Sequence, residues 1–290
     1  MVNITTGIAN LVCIGFTLIY IAGFYIFKTP GDRNDPPVMR ARMKAVIIAS
    51  IISALIVMFL LKLTGSKYNT AQVLGIDQPS HFIYIFSYLR PLVLTCGLFL
   101  GPLSIMYFDQ ELPFQKHFNF KRDVAMNIMS LLGQRNYIVA PLTEEFVFRA
   151  CIISVLKQAA YSRTYLIFVS PFYFGIAHLH HAWDKYQKLG KTRYAFKMAM
   201  LSSLFQFAYT TLFGWYASYL FLRMGKLWPP VLCHSFCNIM GFPDFNGISH
   251  RPTYEKTIIY CCFPIGILFF VYNIDYLTLP SSVGGSIYWK

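Results

Sequence analysis

Five stretches of this chain carry no aspartate, glutamate, lysine or arginine: residues 1–27, 45–61, 91–108, 198–222 and 257–274. Apolar runs of that length leave few folds open. A helix needs about 20 apolar residues to cross the ~30 Å hydrocarbon layer of a bilayer. Within that layer only helices and closed barrels satisfy every backbone donor and acceptor, and a barrel would show short alternating segments instead. The chain is 13% charged, well below the ~25% of an ordinary soluble domain. The expected fold is therefore all-α: a polytopic transmembrane helical bundle in a single multi-pass domain over residues 1–290. Eight spans are expected, near 6–27, 45–62, 84–108, 137–157, 164–181, 198–222, 227–242 and 256–275. Val124 to Asn136 reads as an amphipathic interfacial segment leading into the fourth. Pro36-Pro37 is placed in the first loop, and Trp228-Pro229-Pro230 opens the seventh span.

The first apolar run lacks a preceding basic region and is too long for a cleaved signal peptide. Its positive charges follow it, at Lys28, Arg33, Arg40, Arg42 and Lys44. With the N-terminus outside, 16 of the 25 Lys and Arg residues fall in cytosolic loops, seven on the other side, and Arg90 and Arg149 within spans. That bias supports the orientation. It also accounts for the net charge of +13 without nucleic acid, since the basic residues sit between spans and beside a lipid bilayer. The seven cysteines are odd in number and lie mostly within apolar runs, which implies no disulfide framework.

Charges inside a span need a reason, because each costs roughly 2.5–3.5 kcal/mol near the bilayer centre. Glu144, Glu145 and Arg149 all lie in the fourth expected span. On a helix Glu145 and Arg149 are four residues apart and share a face, which suits a supporting ion pair. Glu144 is rotated by about 100° and is expected to face a wet cavity, where a carboxylate can act as a base for water. His178 ends the fifth span, and His234 and Asn238 lie four apart on one face of the seventh, where both can donate hydrogen bonds to an oxyanion. In the assigned orientation all four polar residues fall at similar depth, toward the cytosol. His180 and His181 are read as interfacial. No His-Glu-x-x-His pair is present, so no metal and no cofactor are expected. Cys233 and Cys237 offer only a weak case for a nucleophile or a ligand.

Glu-Glu-x-x-x-Arg at 144–149, Phe-x-x-x-His at 174–178 and His-x-x-x-Asn at 234–238 occur in that order on separate expected spans. This ordered set resembles the type II CAAX prenyl endopeptidases, the Ras-converting group within the CPBP/ABI family of intramembrane glutamate proteases. The resemblance covers roughly residues 80–245. It implies removal of the aaX tripeptide from farnesylated or geranylgeranylated CAAX proteins, Ras-type small GTPases among them. It implies a protein of the endoplasmic reticulum membrane whose site is reached from the cytosol. Glu144 and His178 would activate water, His234 and Asn238 would stabilise the oxyanion, and Glu145 and Arg149 would support them. The aromatic residues Phe205, Phe207, Tyr209, Phe213, Trp215 and Tyr216 are candidates for a prenyl groove. Three other readings stay open: a non-catalytic scaffold with the same motifs, a metal-dependent variant of the protease, and a transporter. Against the last, the paired repeats and interrupted helices of many transporters are missing.

Overall fold

A computed structural model describes residues 4–27, 29–77, 84–177 and 179–289. Among the described residues there is no strand, and helices account for almost every ordered segment. Among the described residues three helices are long and apolar enough to cross a membrane: α1 (Thr6–Ile26), α2 (Pro36–Thr64) and α12 (Thr253–Leu277). A fourth candidate is a bent pair, in which Tyr84–Leu98 and Leu100–Phe108 meet at 69°. Its main pieces are α3 (Arg90–Leu98) and α4 (Leu100–Phe108).

The other apolar stretches are divided. The expected fifth span is split into α7 (Arg163–Phe168) and α8 (Pro171–Ala177), followed by α9 (Leu179–Lys188). Pro171 has no N–H with which to continue α7. The expected seventh span, α11 (Trp228–Met240), is 13 residues long, or about 20 Å, shorter than the hydrocarbon layer. The long α10 (Arg193–Met224) has 32 residues, but its Ser, Thr, Tyr and Gln content makes it less apolar than α1, α2 or α12.

Pro36 and Pro37 are not in a loop. They form the first turn of α2, where a missing N–H leaves no hydrogen bond unmade. Arg40, Arg42 and Lys44 are thereby carried on a helix. α2 ends at Gly65, whose φ of 63° is the left-handed stop that glycine adopts without strain. α1 starts at Thr5, whose hydroxyl accepts from the Ile8 N–H at 3.3 Å, and its buried face runs Ala9, Cys13, Phe16, Thr17 and Tyr20.

At the centre lies one continuous helical rod from Leu131 to Gln158. It contains α5 (Ala140–Glu145) and α6 (Ile152–Gln158), each preceded by a π-helical stretch, Gln134–Val139 and Phe146–Cys151. The ten residues from Val147 to Leu156 are all at most 2% exposed, so protein surrounds this part of the rod on every side. α1, α2, α8 and α10 supply that surround. On the other flank α12 packs along α3 and α4. There the backbones close up: a Cβ on Gly266 would lie 2.5 Å from the Gly97 carbonyl oxygen. Small residues of this kind let apolar helices pack by van der Waals contact.

Candidate active site

Pro141 explains the first wide turn of the rod. It lies inside a continuing helix, and its ring crowds the preceding turn. The chain relieves this with the π-stretch Gln134–Val139, in which the Ala140 N–H reaches back to the Arg135 carbonyl. In that register the Asn136 carbonyl should receive the N–H of residue 141, which is proline. The side chain of Asn238 fills the gap, its Nδ2 donating to the Asn136 oxygen at 2.9 Å. A π-turn of this kind also rotates the residues that follow it, and such turns recur at functional sites.

The two glutamates that follow have different surroundings. Glu145 is fully buried. Its Oε1 accepts from His234 Nδ1 at 2.7 Å, and its Oε2 lies 3.2 Å from Arg149 Nε. That ion pair is close but poorly aligned, since none of the three Arg149 nitrogens makes a hydrogen bond among the described residues. The guanidinium is instead sandwiched by aromatic faces, 4.9 Å from the Phe174 ring centre and 6.0 Å from that of Phe213. Cation–π contacts of this type strengthen when water is excluded. Gly214 makes room for it: a Cβ there would lie 3.2 Å from Arg149 Nη2 and 2.7 Å from the Pro171 Cβ.

Glu144 is the glutamate in contact with open space. Its side chain is 20% exposed, and its Oε2 lies 3.7 Å from His234 Nε2. Glu145, being a carboxylate, can only accept, so His234 Nδ1 carries the proton there and Nε2 is the nitrogen turned toward Glu144. Phe213 packs on the imidazole at 4.9 Å between ring centres. Beside Glu144, the Tyr20 hydroxyl of α1 is 3.0 Å from Thr143 Oγ1, and Thr143 is bonded back to the Val139 carbonyl at 2.8 Å.

Glu144 forms part of the wall of a cavity of about 140 Å³ between α1, α2, α8 and the rod. Its apolar lining includes Tyr20, Ile21, Phe24, Met43 and Val46, and its polar lining includes Arg33, Arg42, Arg135 and Asn136. Arg135 ties this wall together, donating to the Arg33 carbonyl at 3.0 Å and to Asn34 Oδ1 at 3.1 Å. On the same loop Asp32 pairs with Lys188 of α9 at 2.9 Å, and that ammonium holds the Asp32 carboxyl below its ordinary range.

Of the residues singled out in the sequence, Glu144, Glu145, Arg149 and His234 are brought into one cluster. Asn238 is exposed and is occupied at the Asn136 carbonyl, although it was expected to face an oxyanion. His178 lies outside the described residues, as do the side chains of His180 and His181. Cys233 is buried and accepts from the Thr95 hydroxyl at 3.2 Å. The aromatic residues of α10 divide among several tasks. Phe213 serves the His234–Arg149 cluster, Trp215 donates to the Phe168 carbonyl at 3.1 Å, and Tyr216 to that of Pro91 at 3.2 Å. Phe207 stacks on Phe172 at 6.0 Å, while Phe205 and Tyr209 close on Phe242 at 4.9 and 5.4 Å. The arginines of the cavity wall and Tyr20 were not foreseen. Their approach depends on how distant helices pack, and no local spacing signals it.

The family description "Type II CAAX prenyl endopeptidase Rce1-like" matches residues 127–240. The chain is 33% identical over 277 residues to the human "CAAX prenyl protease 2", covering 94% of this chain and 82% of that protein. It is 34% identical over 270 residues to the Schizosaccharomyces pombe "Probable CAAX prenyl protease 2", covering 90% of each. It is 30% identical to "CAAX prenyl protease 2" of Caenorhabditis elegans over 267 residues, or 91% of this chain and 95% of that one. No solved structure matches the chain.

Proposed function

The chain belongs to the type II CAAX prenyl endopeptidase family, and on that premise we propose that it hydrolyses the peptide bond after the prenylated cysteine of CAAX proteins, releasing the aaX tripeptide. The observation that carries this reading is the meeting of Glu144 with His234 Nε2 at the wall of a cavity, within the stretch matched by the family. Glu144 takes a proton from water, and the hydroxide adds to the carbonyl carbon of the prenyl-cysteine. The tetrahedral oxyanion is stabilised by hydrogen-bond donors. His234, held by Glu145 at Nδ1, serves as such a donor when Nε2 also carries a proton, and His178 is assigned to water activation by the resemblance. The C–N bond then breaks, the proton passes to the leaving amine, and the products are a prenyl-cysteine carboxylate and a free tripeptide. Asn238 is carried over as an oxyanion donor by the resemblance, while its bond to Asn136 favours a structural role.

The substrate's two halves suit such a site. A prenyl chain partitions into lipid at ~0.8 kcal/mol per buried CH₂, and the peptide arrives from the aqueous side. The exposed ridge of Phe205, Tyr209 and Phe242 is an apolar surface for the lipid. The charge bias of the loops supports a cytosolic approach, and the family resemblance supports the endoplasmic reticulum. The test is tripeptide release from a farnesylated peptide by purified protein, with and without chelator. Glu144→Ala and His234→Ala are expected to abolish release, and Cys→Ala changes to leave it. Activity in both variants equal to the parent's would remove the mechanism.

A further inference from the structure

The cavity that exposes Glu144 has three arginines on its wall, and Glu144 is the one carboxylate among the residues that line it. Arg33, Arg42 and Arg135 all line it, and among the described residues none of the three pairs with a carboxylate. They are held rather than loose. Arg135 is bonded to Arg33 and Asn34, and its Nε donates to Asn136 Oδ1 at 2.9 Å; Arg42 lies over the Phe24 ring at 5.3 Å. Like charges gathered and fixed in this way repel one another unless an anion joins them. Burial first, and then the Arg33 and Arg42 charges, lower the Arg135 pKa.

The position of the cluster relative to Glu144 specifies the anion. Arg135 precedes Glu144 by nine residues on one continuous helical rod, so the two are separated by roughly 13 Å of rise. Three extended residues span roughly 10 Å, and the remaining few ångströms are within the length of an arginine side chain. Resting on the endopeptidase reading above, we infer that Arg33, Arg42 and Arg135 bind the free C-terminal carboxylate of the substrate and so set the cut three residues from its end. The apolar wall of Ile21, Met43 and Val46 suits the two aliphatic side chains between. Arginine is the residue fitted to this task, since its planar fork meets a carboxylate through two parallel hydrogen bonds. A lipid phosphate offers similar chemistry. The shared wall with Glu144 favours the peptide, because a headgroup there would occupy the path to the base.

The test compares three farnesylated peptides with purified protein in phosphatidylcholine vesicles: one ending in a free acid after three residues, the same peptide as a C-terminal carboxamide, and a free acid one residue longer. The parent is expected to cleave the carboxamide and the longer peptide with kcat/KM lower by about 10- to 100-fold, the range for losing charge-assisted hydrogen bonds. Arg42→Gln and Arg135→Gln are expected to collapse the acid-over-amide preference toward one. Arg40→Gln, an exposed neighbour on α2, makes the same charge change and is expected to keep the preference. Equal cleavage of acid and amide by the parent overturns the ruler and leaves the endopeptidase intact. Equal losses on acid and amide in the arginine variants assign those residues to the fold and overturn it. Losses that appear only after phosphatidylserine is added assign them to lipid and also overturn it. If the parent cleaves none of the three peptides, the endopeptidase reading itself fails, and this inference with it.

Discussion

Charges on the two sides of Glu144 are arranged in opposite ways. On the inner side, Glu145 bridges Arg149 and His234, and the three residues are at most 8% exposed. On the outer side, three arginines share a cavity wall with Glu144, and among the described residues none of them makes an ion pair. The difference follows from solvent. A dry interior does not tolerate an unmatched ion, so the inner charges are matched within the chain. A wet mouth tolerates charges of one sign, and can leave the opposite charge to a ligand. Glu144 stands at the boundary, touching His234 on one side and open space on the other. The inner cluster should therefore respond to mutation in stability, the outer in substrate selection, and Glu144 in turnover.

The sharpest break of that division is Glu144→Gln. The amide keeps the shape but cannot take a proton from water, so activity should fall by about 10²–10⁴-fold. Because Glu144 is not part of the buried pair, the melting temperature in detergent should hardly move. A large stability loss with activity retained per folded molecule would place Glu144 with the inner cluster.

Next in size is Arg149→Ala. It strands the Glu145 carboxylate in a dry site, and breaking one side of a buried pair costs about 3–5 kcal/mol. The double change Glu145→Gln with Arg149→Met removes both charges and should recover much of that stability without recovering activity, because an amide, with one accepting and one donating end, no longer fixes the His234 tautomer. Thermal unfolding and tripeptide release, measured on the same samples, separate the two effects.

Gly214→Ala probes the same cluster from α10. The added methyl would meet the Pro171 Cβ at 2.7 Å and the Arg149 guanidinium at 3.2 Å. Overpacking a filled interior costs about 1–3 kcal/mol, and the guanidinium must shift between its two aromatic rings. The melting temperature should drop, with a smaller loss of turnover than Arg149→Ala causes. An unchanged melting temperature would mean that α10 can retreat and that the cluster is less tightly enclosed than its geometry indicates.

The inner cluster was far more legible in the sequence than the outer one, for a physical reason. Glu145 and Arg149 are four apart on one helix, so their pairing is a local consequence of 3.6 residues per turn. The apolar runs announce the helices of α1, α2 and α12 in the same way. Spacing says nothing of tertiary approach. Arg33, Arg42 and Arg135 come from a loop, a helix and the rod, and they looked like ordinary loop charges in a count. The extension of α2 back to Pro36 was hidden because proline reads as a breaker, although the first turn is the one place in a helix where it is at home. The split of the 164–181 segment had a visible cause in Pro171, but hydropathy alone runs through it. The π-turn before Ala140 was likewise encoded by Pro141 and became apparent only from the backbone bond of Ala140 to Arg135.

Asn238 tests where the boundary between holding and reacting falls. Its Nδ2 now satisfies the carbonyl that Pro141 leaves without a backbone donor. If that is its task, Asn238→Ala removes one hydrogen bond at an exposed position, worth about 0.5–1.5 kcal/mol. The melting temperature should fall modestly. Turnover should fall only a few-fold, through slight loosening of the turn that aims Glu144. An oxyanion donor behaves differently: its loss lowers kcat by about 10²–10³-fold and leaves the fold alone. Measuring both quantities on Asn238→Ala distinguishes the two. A large kcat loss at constant melting temperature would mean that Asn238 leaves Asn136 when substrate binds, and that the outer wall takes part in the chemistry as well as in recognition.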